Sequence, residues 1–230
     1  MIKRLLTLSI PLCLIGGIAQ ADSGKLNRIF SRANIYAPIS QIEKIAGKPV
    51  SSNGEEHIFK VGQCEVAVYA DSLNDTPDIV QEIAMDISPT CTFDLSRVVK
   101  VPKGTYVHKL TFGKFGQIMP TNLLCPSSCA PDTTDCPIYQ KAFTLTWLGS
   151  GTIPGAPPIV VTNDLTSRKT RQAASKWEAF IQKKEGAAYK KDNWSSLANY
   201  KYSKEGLRFF RNVPIAHIQV GSIGGMLECQ

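Results

Sequence analysis

Apolar residues recur along this chain with two periods, and the switches between them divide it into elements. Residues 40–46 place Ile42, Ile45 and Ala46 on one face, the i, i+3, i+4 spacing of a short amphipathic helix. Ser40 and Glu43 stand three apart as a capping box, Gly47 can take a left-handed backbone after the last turn, and Pro49 stops the helix. A period of two then takes over. Residues 56–61 and 64–70 predict a hairpin turning at Gly62-Gln63, with Cys64, Val66 and Val68 on one face. Residues 79–87 set Ile79, Ile83, Met85 and Ile87 against Glu82, Ala84 and Asp86, and Cys91, Phe93 and Leu95 predict a further strand.

The second half reads less regularly. Residues 105–112 suit a strand, Phe112-Gly113-Lys114-Phe115-Gly116 a tight turn, and residues 125–137 a polar loop dense in cysteine and proline. Phe143, Leu145 and Trp147 alternate on a strand, and residues 159–162 form a short apolar one. From about residue 163 to 184 the period returns to that of a helix. Ala173, Trp177, Phe180 and Ile181 make one stripe, with Arg168, Lys169, Arg171, Lys176, Lys183 and Lys184 over much of the rest. A loop rich in Lys, Asn and Tyr leads to a strand over 213–223, where Ala216, Ile218 and Val220 share a face. The expected class is α+β. A short helix plus antiparallel meander (residues 36–100) packs with a second α+β module (101–230) that carries the cysteine-rich loop and the long amphipathic helix.

Composition changes the picture at the amino end. Lys3 and Arg4, the apolar run 5–18 and Ala19-Gln20-Ala21 have the three parts of a cleaved signal peptide, residues 1–21. A membrane span takes about 20 apolar residues, and no later run reaches that length without charge, so no membrane span is expected. Cleavage takes the formal charge from +7 to +5, because Lys3 and Arg4 leave and no acid does. Leu12 stands before Cys13 where lipoprotein processing requires a small residue, so Cys13 is discarded with the leader. Cys64, Cys91, Cys125, Cys129, Cys136 and Cys229 remain. Six cysteines in an oxidising compartment, periplasmic or extracellular, read as three disulfides. Strand pattern and spacing favour Cys64–Cys91, Cys125–Cys129 and Cys136–Cys229, with Cys125–Cys136 and Cys129–Cys229 as the competing arrangement of the last four.

Three stretches within residues 39–95 have a familiar order. They are the helix ending in Gly47-Lys48-Pro49, the hairpin Ile58-Phe59-Lys60-Val61-Gly62-Gln63-Cys64-Glu65-Val66, and Cys91-Thr92-Phe93-Asp94-Leu95. Together they resemble the modules of the β-lactamase-inhibitor-protein-like fold, found also in small outer-membrane assembly lipoproteins. The resemblance implies a short helical segment packed on a few antiparallel strands and, by analogy, a role in binding or inhibiting another protein. None of that family's partner-binding residues is carried onto this chain. Residues 110–129 are similar to bacterial periplasmic proteins that have a Thr-Phe-Gly turn before a close cysteine pair. Those have Cys-Gly-Asn where this chain has Cys129-Ala130-Pro131.

Catalytic patterns are missing from the sequence. His57, His108 and His217 lie in no metal-binding or hydrolase motif, and no serine occupies a Gly-x-Ser-x-Gly elbow. Gly47-Lys48 lacks the rest of a phosphate loop, and Cys125, Cys129 and Cys136 lack the paired knuckles of a zinc site. No catalytic residue, metal or cofactor is expected. The pattern with a binding meaning is basic and aromatic: Arg168, Lys169, Lys176, Lys183 and Lys184, then Lys190, Lys191 and Trp194. It suits a protein or an acidic component of the cell envelope, and nucleic acid is not expected as a partner. The function expected is a non-catalytic periplasmic or secreted protein of the binding or inhibitor type. The alternatives are a periplasmic hydrolase with a dispersed site, or an envelope-ligand binder using the basic segment. A histidine and a carboxylate gathered in one cleft would favour the hydrolase.

Overall fold

Five α-helices and eight strands are seen in the computed structural model, which describes residues 16–71, 78–119, 122–126, 142–147, 157–164, 166–189 and 201–221. The strands are β1 (Ser51–Asn53), β2 (Glu56–Val61), β3 (Cys64–Asp71), β4 (Ile79–Asp86), β5 (Asn122–Pro126), β6 (Ala142–Trp147), β7 (Ile159–Asp164) and β8 (His217–Gly221). The helices are α1 (Gly16–Ile29), α2 (Ser40–Ala46), α3 (Phe112–Ile118), α4 (Arg168–Glu185) and α5 (Ser203–Phe210). The protein is α+β. All strands join one antiparallel sheet in the order β1-β2-β3-β4-β8-β7-β6-β5. Two meanders, β1 to β4 and β5 to β8, therefore meet where β4 pairs with β8.

The period of two explains the register. Val66, Met85, Ile218, Val161 and Leu145 lie directly opposite one another across five strands, and Val68, Ile83, Val220, Ile159 and Trp147 form the next row. All ten are buried in one core with Leu26, Ile29 and Phe30 of the α1 region, Ile42 of α2, Phe112 and Phe115 of α3, Trp177 and Ile181 of α4, and Phe210 of α5. The helices thus cover a single face of the sheet. A one-residue slip in any of these strands would turn the whole apolar set outward.

Cys64 and Cys91 form a disulfide across 27 residues, the expected pair, although only Cys64 stands on a strand. Loop closure of that size is worth about 3–4 kcal/mol. The double variant Cys64→Ala/Cys91→Ala is therefore expected to lose about that much unfolding free energy in urea, under non-reducing conditions in which the wild type keeps the bond. The other two pairings lie outside the described residues, which include the backbone of Cys125 in β5 but not its side chain.

Several elements differ from the sequence expectation. Cys91, Phe93 and Leu95 form no strand: Asp94 instead caps a 3-10 turn, accepting from Ser96 N at 3.0 Å and Gly104 N at 2.8 Å. Residues 107–109 are a 3-10 turn rather than a strand, and the expected tight turn at Phe112 is the helix α3, capped by the Thr111 hydroxyl. The stretch before β8, expected as loop, contains α5, and residues 122–126, the last two of them expected in the cysteine-rich loop, pair with β6. Helix α4 starts at Arg168 behind Ser167, because β7 continues to Asp164. The capping box does not form. Helix α2 is entered from Ile39 without a side-chain cap, and Glu43 instead takes Lys48 Nζ on both oxygens at 3.0 Å.

Candidate functional site

The residues that alternate with the core rows occupy the other face of the sheet. Glu65, Ala67 and Tyr69 of β3, Glu82, Ala84 and Asp86 of β4, and His217, Gln219 and Gly221 of β8 share it with Val160 and Thr162 of β7. The row Ala67–Ala84–Gln219–Val160 is its floor, with Gln219 only 3% exposed. Val160 and Ala84 are buried yet stand apart from the apolar core, as their opposite orientation requires.

Titratable groups flank this floor on both sides. On one side Glu56, Tyr69 and Glu82 align across three strands, and the Tyr69 hydroxyl donates to Glu56 Oε1 at 2.6 Å. That bond, followed by burial and the charges of Glu56 and Glu82, pushes the phenol up to about 12. Tyr69 is thus a donor at neutral pH and no base. On the other side Asp86 Oδ1 meets His217 Nδ1 at 2.9 Å. The hydrogen bond from His217 holds the Asp86 carboxyl below its usual range. Lys60 Nζ pairs with Glu65 Oε1 at 2.7 Å farther out on the same face.

Glu82 is the exceptional group. Burial pushes its carboxyl up to about 7, against a bond from Gln219 and the charge of His217. The native state then holds a proton that the unfolded chain gives up near 4.5. Glu82 costs nothing below that value and its full amount above about 7, so stability falls as pH rises through this window. Glu82→Gln is expected to gain on the wild type by about 1–2 kcal/mol between about pH 5 and about pH 8. Paired thermal melts at the two pH values check this, and a constant difference would contradict it.

The remaining histidines are bonded locally. His57 Nδ1 meets Ser52 Oγ at 2.9 Å, and His108 Nδ1 meets Thr92 Oγ1 at 2.8 Å. Burial, then the charge of Lys109, lowers the His108 pKa. Among the described residues no group of three or more metal-ligating side chains converges, and no helix is long and apolar enough to cross a membrane.

Arg168, Lys169, Lys176, Lys183 and Lys184 stand exposed on α4, which packs on the core face of the sheet through Trp177 against Phe143. They are therefore separated from the Glu82 cluster by the sheet itself. Of the predicted stripe, Ala173, Trp177 and Ile181 are buried, while Phe180 is only half-buried, with Lys184 and Arg208 over its ring. Lys190, Lys191 and Trp194 lie outside the described residues.

The sheet-face cluster was not singled out by sequence motifs, because its members come from β2, β3, β4 and β8 and become neighbours only through the β4–β8 pairing. The available clue was Glu82 and Asp86 on the polar side of an alternating strand. No family model matches this chain, and no curated protein or solved structure matches it either.

Proposed function

We propose that this is a non-catalytic exported protein that binds a partner protein on the polar face of its sheet, opposite the helices. The observation that carries the reading is the contiguous hydrogen-bonding surface around Tyr69, Glu82 and His217, on a face that no described helix packs against. Tyr69 is 37% exposed, and tyrosine is among the residues that most often dominate binding energy at protein interfaces. Glu56, Glu65 and Asp86 outnumber Lys60 and His217 there, which favours a partner with a basic surface. The leader-like amino end, the even cysteine count and the Cys64–Cys91 bond favour the periplasm or the extracellular space. The resemblance of residues 39–95 to β-lactamase-inhibitor-protein-like modules is consistent with such a role.

A hydrolase has one observation in its favour, the His217–Asp86 pair with Thr162 opposite His217 on β7. The Asp86 side chain is 95% exposed, whereas the acid of a Ser-His-Asp triad is buried and fixes its histidine. An envelope-ligand reading rests on the exposed cations of α4. One experiment separates the three. Immobilised wild type, Tyr69→Ala/Glu82→Arg and Lys176→Glu/Lys183→Glu proteins are exposed to periplasmic extract, and retained proteins are identified by mass spectrometry. Loss of a retained protein with the sheet-face variant alone is the expected result, a weakening of about thirtyfold or more. Loss with the α4 variant alone, or turnover of an ester or peptide substrate that stops in His217→Ala, would overturn the reading.

A further inference from the structure

Helix α4 has a basic flank that its own acids do not offset. Lys169, Lys176 and Lys183 recur every seven residues, close to two turns, so they line one side of the helix about 10 Å apart. All three are exposed, and among the described residues none of them has an ion-pair partner. The acids of α4, Glu178 and Glu185, stand two residues on from Lys176 and Lys183, about 200° around the helix. They are engaged there. Glu178 accepts from the Tyr189 hydroxyl at 3.0 Å, and Glu185 accepts from Lys201 Nζ at 2.7 Å and from the Tyr202 hydroxyl.

Helix α5 extends this flank, and Phe180 is where the two helices meet. Its ring lies 5.6 Å from that of Phe209, centroid to centroid. Arg208 of α5 and Lys184 of α4 stand over the same ring, 5.8 and 5.7 Å from its centroid. Lys204, Arg208 and Arg211 recur at i, i+4 and i+7 along α5 and just past its end, and all three are exposed. The acid of α5, Glu205, is half-buried. The junction of α4 and α5 is therefore a half-buried apolar ring framed by cations.

Folding alone gives no reason for this arrangement. Cations along one flank repel one another. Helix α4 also opens with Arg168 and Lys169 and no acid in its first turn, against the helix dipole. A surface of negative charge relieves both. The lysine row alone spans roughly 20 Å of helix, and the cations continue onto a second helix, which suits an extended surface rather than a small ligand. Basic amphipathic helices bind anionic bilayers through cations and apolar groups together, and Phe180 with its frame of cations supplies both. We infer that α4 and α5 form a docking surface for a bilayer containing anionic phospholipid. The inference stands independently of any partner on the sheet face. The sheet lies between the two surfaces, so a molecule held this way directs Tyr69 and Glu82 away from the bilayer.

Sedimentation of the exported protein with vesicles tests this at physiological ionic strength. The vesicles are phosphatidylcholine alone or phosphatidylcholine mixed with phosphatidylglycerol, and binding to the mixed vesicles only is expected. Each cation near an anionic bilayer is worth about fivefold in affinity, so Lys169→Gln/Lys176→Gln/Lys183→Gln is expected to weaken binding about a hundredfold. Lys44, Lys100 and Lys103 are exposed and lie on neither helix. Lys44→Gln/Lys100→Gln/Lys103→Gln removes the same net charge and is expected to leave binding unchanged. Phe180→Ala is expected to weaken it several-fold, with melting curves confirming that each variant is folded. Absence of binding to the mixed vesicles overturns the inference, as does equal binding to both kinds of vesicle or equal weakening by the two triple variants. Binding to soluble dextran sulfate without binding to the mixed vesicles assigns the surface to a soluble polyanion and also overturns it.

Discussion

Replacing Trp177 by alanine is expected to lower the unfolding free energy by about 3–5 kcal/mol, the cost of emptying a large core site. Trp177 is fully buried and is the member of α4 that fastens the helix to the sheet. Its ring meets Phe143 of β6 with centroids 6.1 Å apart and Phe210 of α5 edge-on at 5.8 Å. The cavity would lie between three elements, so its collapse requires α4 and α5 to move together. Urea denaturation measures the loss. The control is Lys176→Glu, one residue away but exposed, whose cost is expected to stay well under about 1 kcal/mol. Equal stability of Trp177→Ala and the wild type would mean that α4 packs through another face.

Gly221→Ala is expected to be comparably severe, about 3–6 kcal/mol, from backbone strain together with overpacking. Gly221 has φ +123°, where residues with a side chain are rarely found, and a Cβ there would lie 2.1 Å from the Gln81 carbonyl oxygen and 2.8 Å from Glu82 Cα. The obstacle is backbone on a paired strand, which cannot swing aside as a side-chain tip can. The change acts where β8 presses on β4 beside Glu82, so the raised Glu82 pKa should fall with it. Denaturant titration and a carboxyl-resolved NMR pH titration measure the two effects. A variant with unchanged stability would show that β8 can shift along β4 at no cost.

The strands were legible in the sequence where one face alone is buried. Cys64, Val66 and Val68 or Phe143, Leu145 and Trp147 alternate because their neighbours stay out of the core. The same rule misleads at Cys91, Phe93 and Leu95. Phe93 and Leu95 are buried, but the spacing is met by a disulfide, a ring stack and the Asp94 turn in place of a ladder. Helix α3 was hidden by Gly113 and Gly116, which read as a turn. Gly113 is small because Arg211 O would lie 2.7 Å from a Cβ, a contact from α5's side that no local pattern contains. In β4 the expected alternation of Ile79 fails because a bulge at Tyr69/Ala70 places Val80 inward with Ile83. The candidate site depends on long-range pairing. Glu82 meets Gln219 only once the chain has folded, and composition alone pointed to the cations of α4.

The place of β8 has a consequence for how the molecule is made. Residues 217–221 follow every other strand in the chain yet occupy the middle of the sheet, between β4 and β7. A polypeptide emerging amino end first can close each meander by local hairpins, but two unpaired edges, those of β4 and β7, face solvent until β8 arrives. Such edges recruit other extended chains, and a pairing this distant in sequence forms slowly. The joining of the two halves is thus a late event, and the interval before it is when the chain most needs a chaperone.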